Sequence, residues 1–182
     1  DCIVIPSRGT FRIGRFRKTY VPPLEYRDTD YPNCRPPEFG VRNKLNGKYS
    51  QATEAWGGHI DYRGFVHTFN HLAPPAVYFE KHPEYYSEIG GKRIGPDRTQ
   101  LCLTNPDVLD IAIDSVRRWI RESPNATIIS VSQNDWHHYC ECEACTALAE
   151  TEGSQAGPLL HFVNAIADAI REEHPDKIID TL

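Results

Sequence analysis

The chain has 182 residues, 40% of them hydrophobic, which is enough for one domain with a buried core. Lys and Arg number 20 against 25 Asp and Glu, a formal charge of −5 that excludes the basic surface a nucleic-acid partner needs. No apolar run approaches the roughly 20 residues of a membrane span.

The first hundred residues are rich in Pro, Gly, Tyr and Arg and show little periodicity. Short apolar stretches at 16–21 and 64–69 are expected as strands. Residues 33–58 read as a long loop inserted between them, punctuated by Pro36-Pro37 and Gly57-Gly58. A short helix is expected at 76–82 after Pro74-Pro75, and a turn at Gly90-Gly91 within 88–93.

The second half is more regular. Residues 100–104 read as a buried strand, followed by Asn105 as a helix N-cap and Pro106 at the first helical position. Leu109, Ala112, Ile113, Val116, Trp119 and Ile120 recur at helical spacing up to Pro124-Asn125. Residues 127–132 are a β-branched strand, and Leu159, Leu160, Val163, Ile166, Ala167 and Ile170 mark a further amphipathic helix before His174-Pro175. Lys177-Ile178-Ile179-Asp180-Thr181-Leu182 then reads as a strand. The chain opens at Asp1 and contains no Met, and it closes on a strand that needs neighbours, so it is expected to be one piece of a longer parent chain.

Strand alternating with helix predicts βαβ units and a parallel sheet, either open or closed into a barrel. In both architectures ligands bind beyond the C-terminal ends of the strands. Three such ends are polar: His67-Thr68-Phe69-Asn70-His71, Thr104-Asn105, and Gln133-Asn134-Asp135-Trp136-His137-His138-Tyr139. At the last of these Asp135 offers a carboxyl group able to protonate a leaving oxygen, Asn134 offers an amide, and Trp136 and Tyr139 offer flat apolar faces for sugar rings. Asn134 and Asp135 are equally natural as turn formers or a helix cap.

Six cysteines are many for a reducing compartment, and an even number suits disulfides in an oxidising one. The sequon Asn125-Ala126-Thr127 is compatible with that location. Cys2 and Cys34 are scattered, whereas Cys140, Cys142 and Cys145 cluster and are expected to lie near Cys102, as a disulfide set or a closed metal site. Patterns for nucleotide binding, serine hydrolysis and zinc proteolysis do not occur, and no cofactor is expected.

One string of motifs runs through the chain in order. It comprises His82-Pro83-Glu84-Tyr85-Tyr86, Gly91-Lys92-Arg93, residues 100–106, Ser130-Val131-Ser132-Gln133-Asn134-Asp135, the cysteine cluster, Gly157-Pro158-Leu159-Leu160 and Phe162-Val163-Asn164. This string resembles the bacterial domain of unknown function 4838, which is associated with glycoside hydrolase family 163, over most of residues 64–182.

The resemblance implies an α/β fold forming roughly the first half of a (β/α)8 barrel, in a secreted, periplasmic or cell-surface enzyme acting on complex glycans. Relatives of that kind are endo-β-N-acetylglucosaminidases that cleave O-glycosyl bonds, such as those of N-glycans. It implies Asp135 as the catalytic acid, in a place where many barrel glycosidases carry Glu after Asn. Substrate contacts are expected from Asn134, His67, Asn70, His71, Asn105, Trp136 and Tyr139, with a second carboxylate beyond Leu182. The competing expectations are a barrel that binds glycans without cleaving them, and a disulfide- or zinc-stabilised structural domain of a surface protein.

Overall fold

In a computed structural model, described here for residues 9, 10, 12–96 and 98–182, the protein is an α/β domain whose core lies in its second half. The N-terminal stretch up to Tyr31 contains no regular element among the described residues, and its apolar side chains face outward, with Phe16 77% and Val21 79% exposed. The expected strand at 16–21 does not form: among the described residues nothing pairs with it, and its side chains are exposed. The expected loop at 33–58 instead carries short helical pieces, namely 3-10 turns at Pro32–Cys34 and Glu54–Trp56 and helix α1 at Pro37–Arg42, which starts on Pro at N1.

Strand β1 is only Tyr62–Arg63. The segment expected to extend it to Phe69 leaves the sheet at Gly64, where φ is +76°. A Cβ at Gly64 would sit 3.0 Å from both Thr68 Cγ2 and Trp119 Cζ3, so this turn requires glycine on two counts. Short helices α2 (Phe69–Leu72) and α3 (Pro75–Tyr78) follow, then a 3-10 turn at Pro83–Tyr85. Strands β2 (Glu88–Ile89) and β3 (Lys92–Arg93) form an antiparallel hairpin around Gly90-Gly91, both at positive φ as a two-residue turn demands.

Helix α4 (Pro106–Glu122) begins as its sequence dictates. The side-chain oxygen of Asn105 accepts from Asp107 N at 2.9 Å and Val108 N at 3.3 Å. Strand β4 (Ile128–Ser130) is followed by α5 (Glu143–Glu152), α6 (Ala156–Ile170) and β5 (Ile178–Asp180). The sheet order is β1-β4-β5, all parallel, with Tyr62 opposite Ile128 and Ser130 opposite Asp180.

The half-barrel is thus a correction. The described residues form a three-stranded parallel sheet and a separate two-stranded hairpin, with no barrel curvature closed by further strands. Besides the stretch at 16–21, the segment 100–104 fails to join the sheet. Leu101 makes a single antiparallel bridge to Tyr86, and the side chains of Gln100 and Cys102 are engaged elsewhere. A buried apolar run signals burial, and here burial comes without pairing.

One face of the sheet holds the core. Ile129 and Val131 point into a cluster with Val108, Ala112, Val116 and Trp119 of α4 and Phe162, Val163, Ile166 and Ile170 of α6. Each fully buried aliphatic or aromatic side chain contributes roughly 1.5–3 kcal/mol. Phe69 and Phe162 meet edge to face at 6.1 Å between centroids, which ties α2 to the same core. The opposite face carries Tyr62, Ser130 and Asp180. Among the described residues no helix is long and apolar enough to cross a membrane.

Candidate functional site

Thr68 extends the β1–β4 edge beyond the strands. Its Oγ1 donates to Ser130 O at 3.1 Å and accepts from Ser132 N at 2.8 Å, and its own N–H donates to Ser132 O at 2.9 Å. This fixes the start of α2 beside the segment leaving β4. His67 has φ of +59°, a strained setting for a non-glycine residue, and its Nδ1–H donates to Gln133 O at 2.9 Å.

Asn134 sits at the junction of three segments. Its Nδ2 donates to Asn70 Oδ1 at 2.9 Å and to Thr99 O at 2.7 Å, and its Oδ1 accepts from Asn70 N at 3.3 Å. Its backbone N–H donates to Gln100 Oε1 at 2.9 Å. Gln100 Nε2 in turn donates to the carbonyls of Asn134 and Trp136, both at 2.7 Å. Both amide hydrogens of Asn134 are therefore spent within the protein, and the residue positions the loop rather than presenting donors to a ligand.

Asn134→Ala is accordingly expected to lower stability by about 1–3 kcal/mol through the partners it strands. A urea melt reads this as a lower midpoint with an unchanged slope. An unchanged midpoint would mean that the amide is not a structural bridge.

Beyond this network lies an open cleft of about 240 Å³ lined by Asn70, Arg98, Thr99, Asn134, Asp135 and Trp136. Asp135 is exposed there. The Arg98 guanidinium lies over the Trp136 ring at 4.6 Å from its centroid. The indole Nε1–H of Trp136 is buried and meets no acceptor among the described residues, which costs about 1–3 kcal/mol unless another group accepts it.

The structure thus brings Asn70, Asn134, Asp135 and Trp136 together and leaves other expected contacts outside. Asn105 is occupied as the cap of α4. His71 is an exposed residue of α2. Tyr139 is 50% exposed and borders a small apolar depression with Leu103, Cys140 and Leu159 instead. Arg98, Thr99 and Gln100 went unforeseen, since no periodicity or motif marks them as rim residues.

Asp180 was also unforeseen. It ends β5 half-buried, accepts from the Tyr62 hydroxyl, and its Oδ1 is buried without a partner. Burial pushes its carboxyl above the usual range, against the opposing pull of the Tyr62 and Ser130 hydroxyls. A raised folded-state value means that ionisation opposes the fold. The stability Asp180 contributes is complete below its unfolded value of about 3.9 and is lost as pH rises through the raised one. Asp180→Asn should therefore be more stable than the parent at pH 7, with the gap closing below about pH 4 in parallel urea melts. A gap constant with pH would contradict the buried-charge account.

The four clustered cysteines converge from separate segments. Cys102 precedes the cap of α4, Cys140 follows the cleft loop, Cys142 is the N-cap of α5 and Cys145 lies in its first turn. Their sulfurs all fall within 4.8 Å of one another, with Cys102 Sγ 3.7 Å from Cys142 Sγ and 3.9 Å from Cys145 Sγ. Hydrogen bonds from Cys140 and Cys145 push the Cys102 thiol down, and the thiol of Cys145 is pushed up to about 11 as a donor to Cys102. Cys34 stands apart from this group, and Cys2 lies outside the described residues.

No curated protein matches this sequence. A family model, described as a domain of unknown function, DUF4838, matches residues 1–182, so the chain belongs to that family.

Proposed function

We propose that the protein processes complex glycans as a glycoside hydrolase, holding a sugar in the cleft at Asn70, Arg98, Thr99 and Trp136, with Asp135 as general acid. The observation that carries this reading is the cleft lining itself. An exposed carboxylate, an indole ring, a guanidinium and an amide converge just past the C-terminal end of β4. Sugars are bound by such mixtures of flat apolar surface and hydrogen-bonding groups. The motif string resembles domain of unknown function 4838, and the association of that domain with a glycoside hydrolase family supports the same substrate class. A secreted or surface location would bring the cleft to such substrates.

A second reading, glycan binding without cleavage, is favoured by one observation. Among the described residues Asp135 is the one carboxylate that lines the cleft, and hydrolysis requires a pair about 5–9.5 Å apart. Asp180 ends the neighbouring strand but lines no part of it.

Incubation of the protein with a panel of complex glycans separates the two readings, with released oligosaccharides identified by mass spectrometry. Hydrolysis predicts new reducing ends from at least one glycan. Retention of intact glycan without products supports the binding reading, and neither outcome with any glycan would overturn both.

A further inference from the structure

The geometry points to a zinc ion bound by the four sulfurs of Cys102, Cys140, Cys142 and Cys145, a closed structural site that braces the segments flanking the cleft. A tetrahedral zinc ion with Zn–S bonds of about 2.3 Å places its sulfurs about 3.8 Å apart. The separations of Cys102 Sγ from Cys142 Sγ and Cys145 Sγ, 3.7 Å and 3.9 Å, fall on that value, and all four sulfurs lie within 4.8 Å of one another. A pair of disulfides needs closeness only within each pair, at about 2.05 Å. What is found is mutual closeness of all four sulfurs, which is the arrangement one shared ion imposes.

The surroundings agree. Three of the sulfurs belong to buried residues, so bulk water does not compete for the centre. Four thiolates around a divalent cation leave a net negative charge, and the protein supplies donors toward it. Glu88 N–H lies 3.4 Å and Arg93 Nη1 3.7 Å from Cys140 Sγ, and Thr104 Oγ1 lies 3.2 Å from Cys145 Sγ. Cys142 and Cys145 occupy the N-cap and first turn of α5, where the helix dipole favours thiolate. On binding, Zn²⁺ enters, the thiol protons leave to solvent and no redox change occurs. With four protein ligands there is no open position for a substrate, which separates this centre from the cleft chemistry.

The consequence for the cleft follows from chain connectivity. Gln100, which holds the carbonyls of Asn134 and Trp136, is two residues from Cys102, and Trp136 is four residues before Cys140. The ion would clamp both strands of that clasp, and it also gathers the β2–β3 hairpin through Glu88 and Arg93.

The test is metal analysis on the purified full chain, together with thiol counting and peptide mapping under non-reducing conditions. The expected result is one equivalent of zinc, with no crosslink among the four cysteines. Exchange with Co²⁺ should give the intense thiolate charge-transfer and tetrahedral d–d bands of a CoS4 centre, a readout that does not depend on any variant folding. Cys34→Ser should keep the full equivalent of zinc, whereas Cys102→Ser or Cys145→Ser should lose most of it. Two disulfides among the four cysteines, iron in place of zinc, or four freely alkylated thiols with no metal would each overturn the assignment. Because these readouts involve no glycan, they stand or fall separately from the proposed activity.

Discussion

Asp135→Asn is expected to lower turnover of a natural glycan by about 100- to 10,000-fold, the range that general acid catalysis typically supplies. The substitution keeps the shape of the side chain and removes its proton. Asp135 is exposed and bridges no other segment, so the variant should fold with the stability of the parent. Substrates with a good leaving group, such as nitrophenyl glycosides, need less protonation and should lose less. That dependence on leaving group distinguishes an acid from a binding residue, whose loss would affect both substrate types alike. Near-parental turnover on a natural glycan would make Asp135 a turn residue and move the acid elsewhere.

Helices were the most legible part of the sequence because their signals are local. Asn105-Pro106 marks the start of α4 by capping chemistry alone, and the recurrence of Ala112, Val116, Trp119 and Ile120 marks its buried face. Helix α5 carried no such stripe. Of its ten residues only Cys145 and Ala149 are buried, so no amphipathic pattern marks it in the sequence. Strands were less legible because pairing is a property of two segments. Residues 100–104 have the composition of a buried strand, yet Gln100 and Cys102 are held by side-chain bonds to Asn134, Trp136 and the other cysteines. The barrel expectation counted this segment and 16–21 as strands, and it fails with them.

The site divides along the same line. Asn134, Asp135 and Trp136 stood out because they follow a β-branched strand in a parallel arrangement, and Asn70 because it follows another strand end. Their roles did not follow from their identities. An Asn beside an Asp looks like a substrate contact, but both Nδ2 hydrogens of Asn134 are donated to Asn70 and Thr99. Arg98 and Thr99 reach the cleft only through the path of the chain between β3 and α4, which no local pattern encodes. The cysteine cluster was legible in part. Spacing places three sulfurs together and Cys102 was expected beside them, where the structure also has it; what the sequence left open is what the four sulfurs hold.

The claim that the cleft is a glycan site rests most heavily on Trp136, whose ring lines it. Buried or half-buried tryptophans at binding sites commonly contribute about 2 kcal/mol, which is close to 30-fold in affinity. Calorimetric titration of the protein, inactivated by Asp135→Asn, with an oligosaccharide ligand found on the glycan panel measures this directly when Trp136→Ala is compared in the same background. The expected result is a loss of affinity of about 10- to 30-fold with the melting midpoint little changed. Equal affinity in the two proteins would contradict the assignment of this cleft.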